Sequence, residues 1–495
     1  MIALPALDRG SAATLLLAGI AALVVGLAAA ATSPLVPTAG LLGLLFLCLI
    51  CWRPLVGVWL FLAVIAIFPF GVIPVPLAGA QLTFVDAVLI ATFAAVLARA
   101  VFSGRRLPLD APSVTLLAFG LTALAAFVVG ATVTPTTPEL VRRVGKLLTS
   151  VFFFLIARAV VTDADRVERV ARWLMCAGAV QGGIGAAFMV LSPLMQLTLL
   201  SRLQIIGYPT TDVLRYVPGP NDTYTDQLRA IGTSVDPNVF GGTVMLAAAL
   251  IVVQWASPEP VLRKSILLLL ALPTATGLLL SLSRASWVGL ATGLLLVGVL
   301  RYRRILVLGG FFGVALLASP VGQRVVLRFV SGFSTADRAT AFRIGEYANA
   351  FTLLQRYPLL GIGFGASPDI DVTAGVSSVY LLVAEQTGLL GLSVYLIGLA
   401  TIWLIGVRAL GAMRDRKLQG IRAALLAAFS GALVAGLFDH YFANQAFPHA
   451  VALFWLYAAG LVVASRLGRL TERQREPERA AFARPTALST HRTPV

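Results

Sequence analysis

Apolar residues run through the chain in blocks, most of them near twenty residues long, separated by short polar connectors. The blocks fall at about 11–32, 36–52, 54–73, 83–102, 112–133, 144–161, 172–198, 237–256, 262–282, 285–300, 304–319, 378–406, 420–438 and 446–465. A hydrocarbon core about 30 Å thick is crossed by about 20 apolar residues in α-helix. Lipid offers no partner to a backbone amide, so each block is predicted to be helical. No block alternates polar and apolar positions, which excludes an outer-membrane barrel. The expected fold is all-α, a polytopic transmembrane helical bundle of about 14 spans.

Two long segments, 199–236 and 320–377, interrupt the series on the same side. Long connectors without helices of their own are usually functional or disordered, and these two are not of low complexity. In the second, Ile344, Tyr347, Ala348, Phe351 and Leu354 recur at helical spacing. They predict a surface helix from about Asp337 to Arg356, with Arg338, Arg343 and Glu346 off the apolar stripe, ending before Pro358. Such a helix is expected to lie on the outer membrane surface or cap the bundle. The chain divides into N-terminal helices at 1–200, a core with both long loops at 201–410, C-terminal helices at 411–467 and a polar, disordered tail at 468–495. It shows no fixed-period repeat and no paired interrupted helices of the kind found in inverted-repeat transporters.

Composition agrees with a membrane body. The chain is 58% hydrophobic and only 12% charged, with a mean hydropathy of +0.90. A water-soluble domain carries about 25% charged residues. The net charge of +16 would suit a nucleic-acid partner, but the basic residues are scattered through connectors and form no basic domain, so no nucleic acid is expected. Arg105 and Arg106, Arg166 and Arg169, Arg301, Arg303 and Arg304, and Arg408, Arg414, Arg416 and Lys417 fall on one side of the alternation. That side is read as the cytoplasm, with both termini inside. Cys48, Cys51 and Cys176 lie within apolar blocks and read as small apolar filler. The first block, starting near Ser11, reads as a retained helix.

The opposite side carries Arg142, Arg143, Lys146, Arg202, Arg215, Arg229, Arg284, Arg324, Arg328, Arg338, Arg343 and Arg356. Orientation signals disfavour basic residues there, so a cluster suggests a bound anion. The guanidinium fork matches phosphate oxygens two at a time. The bland alternative is a set of solvated charges paired with Asp212, Asp222, Asp226, Asp337 or Glu346. Four patterns concentrate the chemistry. RAIGTSVDPNVFGG (Arg229 to Gly242) places Asp236 as a helix cap before Pro237. LSLSRASWVG (Leu280 to Gly289) sets Arg284 at a helix boundary. RIGEYANAFTLLQRYPLLGIGFG (Arg343 to Gly365) combines the surface helix with a glycine turn. SVYLLVAEQTGLLGL (Ser378 to Leu392) carries Glu385 about two turns into a span. The glycines do not fit GxGxxG and follow no strand, so they read as a turn rather than a nucleotide site.

In order and placement these patterns resemble the O-antigen ligase and O-antigen polymerase superfamily of bacterial envelope polysaccharide enzymes. The resemblance implies an all-α membrane glycosyltransferase of the cytoplasmic membrane, working without nucleotide or metal. Its partners would be a polyprenyl-pyrophosphate-linked oligosaccharide and a polysaccharide or lipid A-core acceptor, within membrane lipid. Arg229, Arg284 and Arg343 match the family's basic residues and, with Arg338, would hold the pyrophosphate. The family usually has His-Asn before the helix that begins here at Ser378, whereas this chain has Ser377 and Ser378. Histidine exchanges protons near neutral pH, and serine alone does not. The base is then supplied by His440, Asp439, Glu385, His449, Asp369 or Asp371, or catalysis rests on leaving-group stabilisation, or activity has been lost. His440 and Asp439, in LFDHYFANQAFPH, have the best placement, because a charged pair at a membrane boundary tends to face a cavity. Two other classes fit parts of the pattern: a transporter or flippase for lipid-linked glycan, and a silent partner of an assembly complex.

Overall fold

A computed structural model describes residues 35–73, 81–104, 108–132, 134–211, 213–218, 224–331, 338–365, 376–410 and 415–482. The expected first span at 11–32, together with Arg105, Arg106, Asp212, Asp222, Asp337, Asp369, Asp371 and Arg414, lies outside the described residues. The helices are α1 (Leu35–Trp52), α2 (Leu55–Ile67), α3 (Phe84–Phe102), α4 (Ala111–Gly130), α5 (Pro138–Val160), α6 (Ala164–Phe188) and α7 (Pro193–Arg202). After a two-stranded antiparallel hairpin, β1 (Tyr216–Pro218) and β2 (Tyr224–Leu228), come α8 (Pro237–Ala256), α9 (Lys264–Leu280), α10 (Arg284–Leu300), α11 (Arg304–Ala318) and α12 (Pro320–Ser331). The chain continues through α13 (Arg338–Arg356), α14 (Val379–Arg408), α15 (Arg416–Phe438) and α16 (Pro448–Phe482).

Among the described residues, six helices are long and apolar enough to cross a membrane: α3, α4, α8, α14, α15 and the Pro448–Gly468 part of α16. Shorter apolar helices, among them α2, α9 and α10, accompany them. The protein is a multi-pass helical membrane protein. Its helix starts are written in the sequence. Thr83 and Asp86 form a reciprocal capping box, and Asp110, Thr137, Asp163, Asp236 and Asp415 each accept a hydrogen bond from an amide of the first turn.

At the centre, α8, α15 and α16 are mostly buried inside the protein, while α3, α4 and α14 expose more of their length. Lipid supplies no hydrophobic drive between helices, so close backbone approach does much of the joining. On α10, a Cβ at Gly293 would stand 2.1 Å from the Ala427 carbonyl oxygen, and one at Gly289 would stand 2.6 Å from that of Gly431. That contact fastens α10 along α15.

The bundle has two chemically distinct ends. At one, Arg158 pairs with Asp110 at 2.8 Å, Arg466 also reaches Asp110, Lys417 lies 3.5 Å from Glu168, and Arg301 donates to Gln419. At the other end lie the starts of α8, α10, α14 and α16, the helix α13, and the 439–447 turn.

Several boundaries differ from expectation. The block at 172–198 divides at Ser192-Pro193, where Ser192 caps a new helix, α7. Helix α5 begins at Pro138, which places Arg142 and Arg143 within it, both pairing with Glu139. The hairpin and α12 were not anticipated. Helix α16 runs on to Phe482, past the expected start of the tail at 468, through a stretch of Glu, Arg, Gln and Ala that favours helix. Helix α13 sits where the periodicity places it but is rolled. Ala350 and Leu353 are buried, whereas Ile344 and Phe351 of the apolar stripe are 53% and 56% exposed.

Candidate functional site

The polar end is assembled around the start of α8. Strand β2 delivers Arg229, whose amide donates to the Arg215 carbonyl. Its Nε donates to the Ser281 carbonyl at 2.9 Å and Nη2 to Asn238 Oδ1 at 2.6 Å, tying the first turn of α8 to the end of α9. Asp236 Oδ1 caps α8 by accepting from the amides of Asn238 and Val239. Just before the caps of α8 and α10, two non-glycine residues are left-handed: Val235 (φ 60°) and Leu282 (φ 52°). Each such conformation costs about 1–3 kcal/mol and persists only where its surroundings enforce it. Gly241 and Gly242 pack closely against the segments around these turns. A Cβ at Gly241 would meet Ser281, Ser283 and Ser286, and one at Gly242 would stand 2.2 Å from the Tyr441 ring. Both glycines therefore let neighbouring segments close onto α8.

Arg284 opens α10 and is half-buried. Within the same turn Ser283 Oγ and Ser286 Oγ lie 2.9 Å apart, and Ser286 reaches Tyr441 Oη at 3.4 Å. Tyr441 is buried, and burial pushes its hydroxyl pKa up. It carries the 439–447 turn onto α10, and the two residues before it are Asp439 and His440.

Asp439 is buried at the end of α15. Its Oδ1 accepts from the His440 amide at 2.8 Å and lies 3.5 Å from His440 Nδ1, while its Oδ2 faces Arg343 Nη2 at 3.9 Å. Burial raises the pKa of this carboxyl, Asp236 adds to the rise, and His440 and Arg343 oppose it. The imidazole of His440 is half-buried, and its Nδ1 has no hydrogen-bond partner among the described residues. Arg343 belongs to α13, and one turn further on Glu346 Oε2 accepts from the Ser377 amide at 2.9 Å. Tyr347 Oη lies 3.0 Å from the Leu437 carbonyl and 3.2 Å from that of Ser377. Arg343 thus has Asp439 as its partner, a pairing that sequence reasoning missed.

Residues 266–396 match the O-antigen ligase family. The match runs from α9 into α14, includes Arg284, Arg343 and Glu385, and supports the O-antigen ligase and polymerase superfamily. No curated protein matches the chain.

Within the matched stretch, α14 is broken at Gly388 (φ 66°, ψ −172°). The GIGFG turn fills the break. Ile362 N donates to the Glu385 carbonyl at 2.9 Å, and Leu389 N and Leu390 N donate to the carbonyls of Pro358 and Leu359. Glu385 is half-buried beside this junction, within electrostatic range of Glu346. Gln386 and Gln445 exchange amide hydrogen bonds, joining α14 to the 439–447 turn.

Among the sequence-derived candidates, Arg343, Asp439 and His440 come together directly. Arg229 reaches the α9–α10 junction that Arg284 begins, and Tyr441 links that junction to Asp439. The side chain of Arg338 lies outside the described residues. His449, second in α16, is buried against the rings of Phe70 and Phe447 and lines a small cavity with Gln181, Ser234 and Thr243. Ser377 contributes backbone contacts, and Ser378 Oγ donates to the Gly436 carbonyl. The i, i+3, i+4 spacing of Arg343, Glu346 and Tyr347 puts all three on one face of α13, a signal that the apolar-stripe reading passed over. Among the described residues no group of three or more His, Cys, Asp or Glu is placed to hold a metal ion.

Proposed function

We propose that this protein transfers a glycan from a polyprenyl-pyrophosphate carrier to an acceptor hydroxyl at the outer face of the bacterial cytoplasmic membrane. The observation that carries the reading is the meeting of Arg343 with the Asp439–His440 pair, contiguous through Tyr441 and Ser286 with the turn that Arg284 begins. Arginines here would hold the two phosphates and stabilise the charge that develops as the carbon–oxygen bond to pyrophosphate breaks. The acceptor oxygen attacks the anomeric carbon and gives its proton to the Asp439–His440 pair, His440 acting as base with Asp439 orienting it. The contact of 3.5 Å between them is long for a hydrogen bond, and such contacts tighten when substrate binds. Glu385 is a secondary candidate, close to Glu346 and tied to the turn.

The test is reconstitution of the full chain in proteoliposomes with polyprenyl-pyrophosphate oligosaccharide and a polysaccharide acceptor, scoring glycan lengthening or transfer. Arg343→Ala and Arg284→Ala are each expected to lower transfer about a hundredfold or more, as the loss of one transition-state donor does. Transfer undiminished in both variants would overturn the reading.

A further inference from the structure

Helix α13 packs on the bundle through a face turned away from its apolar stripe. Its apolar stripe (Ile344, Tyr347, Ala348, Phe351, Leu354) and its packed face (Arg343, Tyr347, Ala350, Leu353) differ by roughly a quarter turn at about 100° per residue. Burial of Ala350 and Leu353 is the apolar return for this rotation, while Ile344 and Phe351 stay outside. Rolling the helix to cover those two would carry Arg343 away from Asp439. Polar contacts oppose the roll. The Leu437 carbonyl belongs to the last turn of α15, where helix carbonyls have no partner of their own, and Tyr347 Oη reaches it at 3.0 Å. The same hydroxyl reaches the Ser377 carbonyl at 3.2 Å, and Glu346 takes the Ser377 amide. Both backbone polar groups of Ser377, next to the cap of α14, are therefore engaged by α13.

We propose that Glu346 and Tyr347 are positioning residues: they latch α13 onto Ser377 and Leu437 against a roll, and so hold Arg343 at Asp439. The bearing of this latch on glycan transfer rests on the function proposed above, whereas the latch itself does not.

The groups that face Asp439 are Arg343 and Tyr347 from α13, His440 and Tyr441 from the following turn, and Asp236 from the cap of α8. Of these, Arg343 is the guanidinium that the latch controls. The experiment titrates Asp439 in the purified full chain by its carboxyl infrared band, assigned through loss of that band in Asp439→Asn. Tyr347→Phe and Glu346→Gln/Tyr347→Phe are expected to make Asp439 about tenfold weaker as an acid, because its carboxylate loses a cation. In an Arg343→Gln background the same changes are expected to add nothing, since the group they position is gone. Hydrogen exchange over 338–356 should rise in the latch variants. An unchanged titration overturns the proposal. So does a stronger acid, which would mean that water has entered a loosened site, or an equal further shift in the Arg343→Gln background. Latch variants that titrate as expected, beside a wild-type protein that transfers no glycan, support the latch and overturn the function.

Discussion

At the level of single residues, the site places a carboxylate under opposing influences, of which burial is the largest and leaves its pKa raised. Burial and Asp236 favour the neutral form of Asp439, while His440 and Arg343 favour the charged form. If the Asp439–His440 pair takes the acceptor's proton, transfer falls as pH drops through the Asp439 titration. Removing the Arg343 charge raises that titration, so Arg343→Gln should move the acid limb of the pH–rate profile to higher pH, measured as kcat/KM. An unmoved limb would remove Asp439 from the proton path. His440→Gln should cost transfer about 10²–10⁴-fold, the usual worth of a general base. The candidates themselves were legible: Arg343 and Arg284 stand out as charges on the side read from the sequence as non-cytoplasmic, and Asp439-His440 as a charged pair at a span's end. Their pairing was not legible, because Arg343 and Asp439 are distant in sequence and no periodicity connects them. Glu346 and Tyr347 were hidden for another reason. A stripe reading puts Tyr347 with the apolar set and Glu346 with the solvent, and only the roll of α13 brings both inward.

Among the elements, the break in α14 at Gly388 gives the sharpest expectation. Gly361 and Gly388 both have positive φ, and added Cβ atoms would stand 2.3 Å from the Glu385 carbonyl oxygen and 2.2 Å from that of Leu359. A left-handed conformation alone costs a side chain about 1–2 kcal/mol, and here backbone blocks the added atom as well. Gly361→Ala and Gly388→Ala should each destabilise the detergent-solubilised protein by about 2 kcal/mol or more, read from thermal unfolding. Gly309→Ala and Gly313→Ala, on the open face of α11 where nothing lies within 4 Å, should leave unfolding unchanged within about 0.5 kcal/mol. Equal effects at both pairs would show that the break is not a close fit. The apolar blocks announced most helix positions, and Asp236 the start of α8. The hairpin and α7 escaped because strands of three and five residues and a ten-residue helix carry too little pattern to stand out from a polar loop.

For the molecule as a whole, the separation of two chemically different ends leads to a topology experiment. Replacing Cys48, Cys51 and Cys176 and adding one cysteine reports sidedness. Thr211→Cys should react with an impermeant maleimide in intact cells, while Arg303→Cys should react only after the membrane is opened. The reverse pattern would put the arginine site in the cytosol and end the lipid-linked donor reading. The mostly helical membrane architecture was readable from block length alone, since lipid leaves the backbone little choice. The junction at Gly388 also limits how the chain can vary. Two amides of the second half of α14 are satisfied by carbonyls of the 357–365 turn, and one carbonyl of the first half by an amide of that turn. A buried backbone group without a partner costs about as much as a lost hydrogen bond. Turn and span therefore form a single inherited unit: swapping either alone between relatives would strand those groups, whereas exchanging both together would keep them matched.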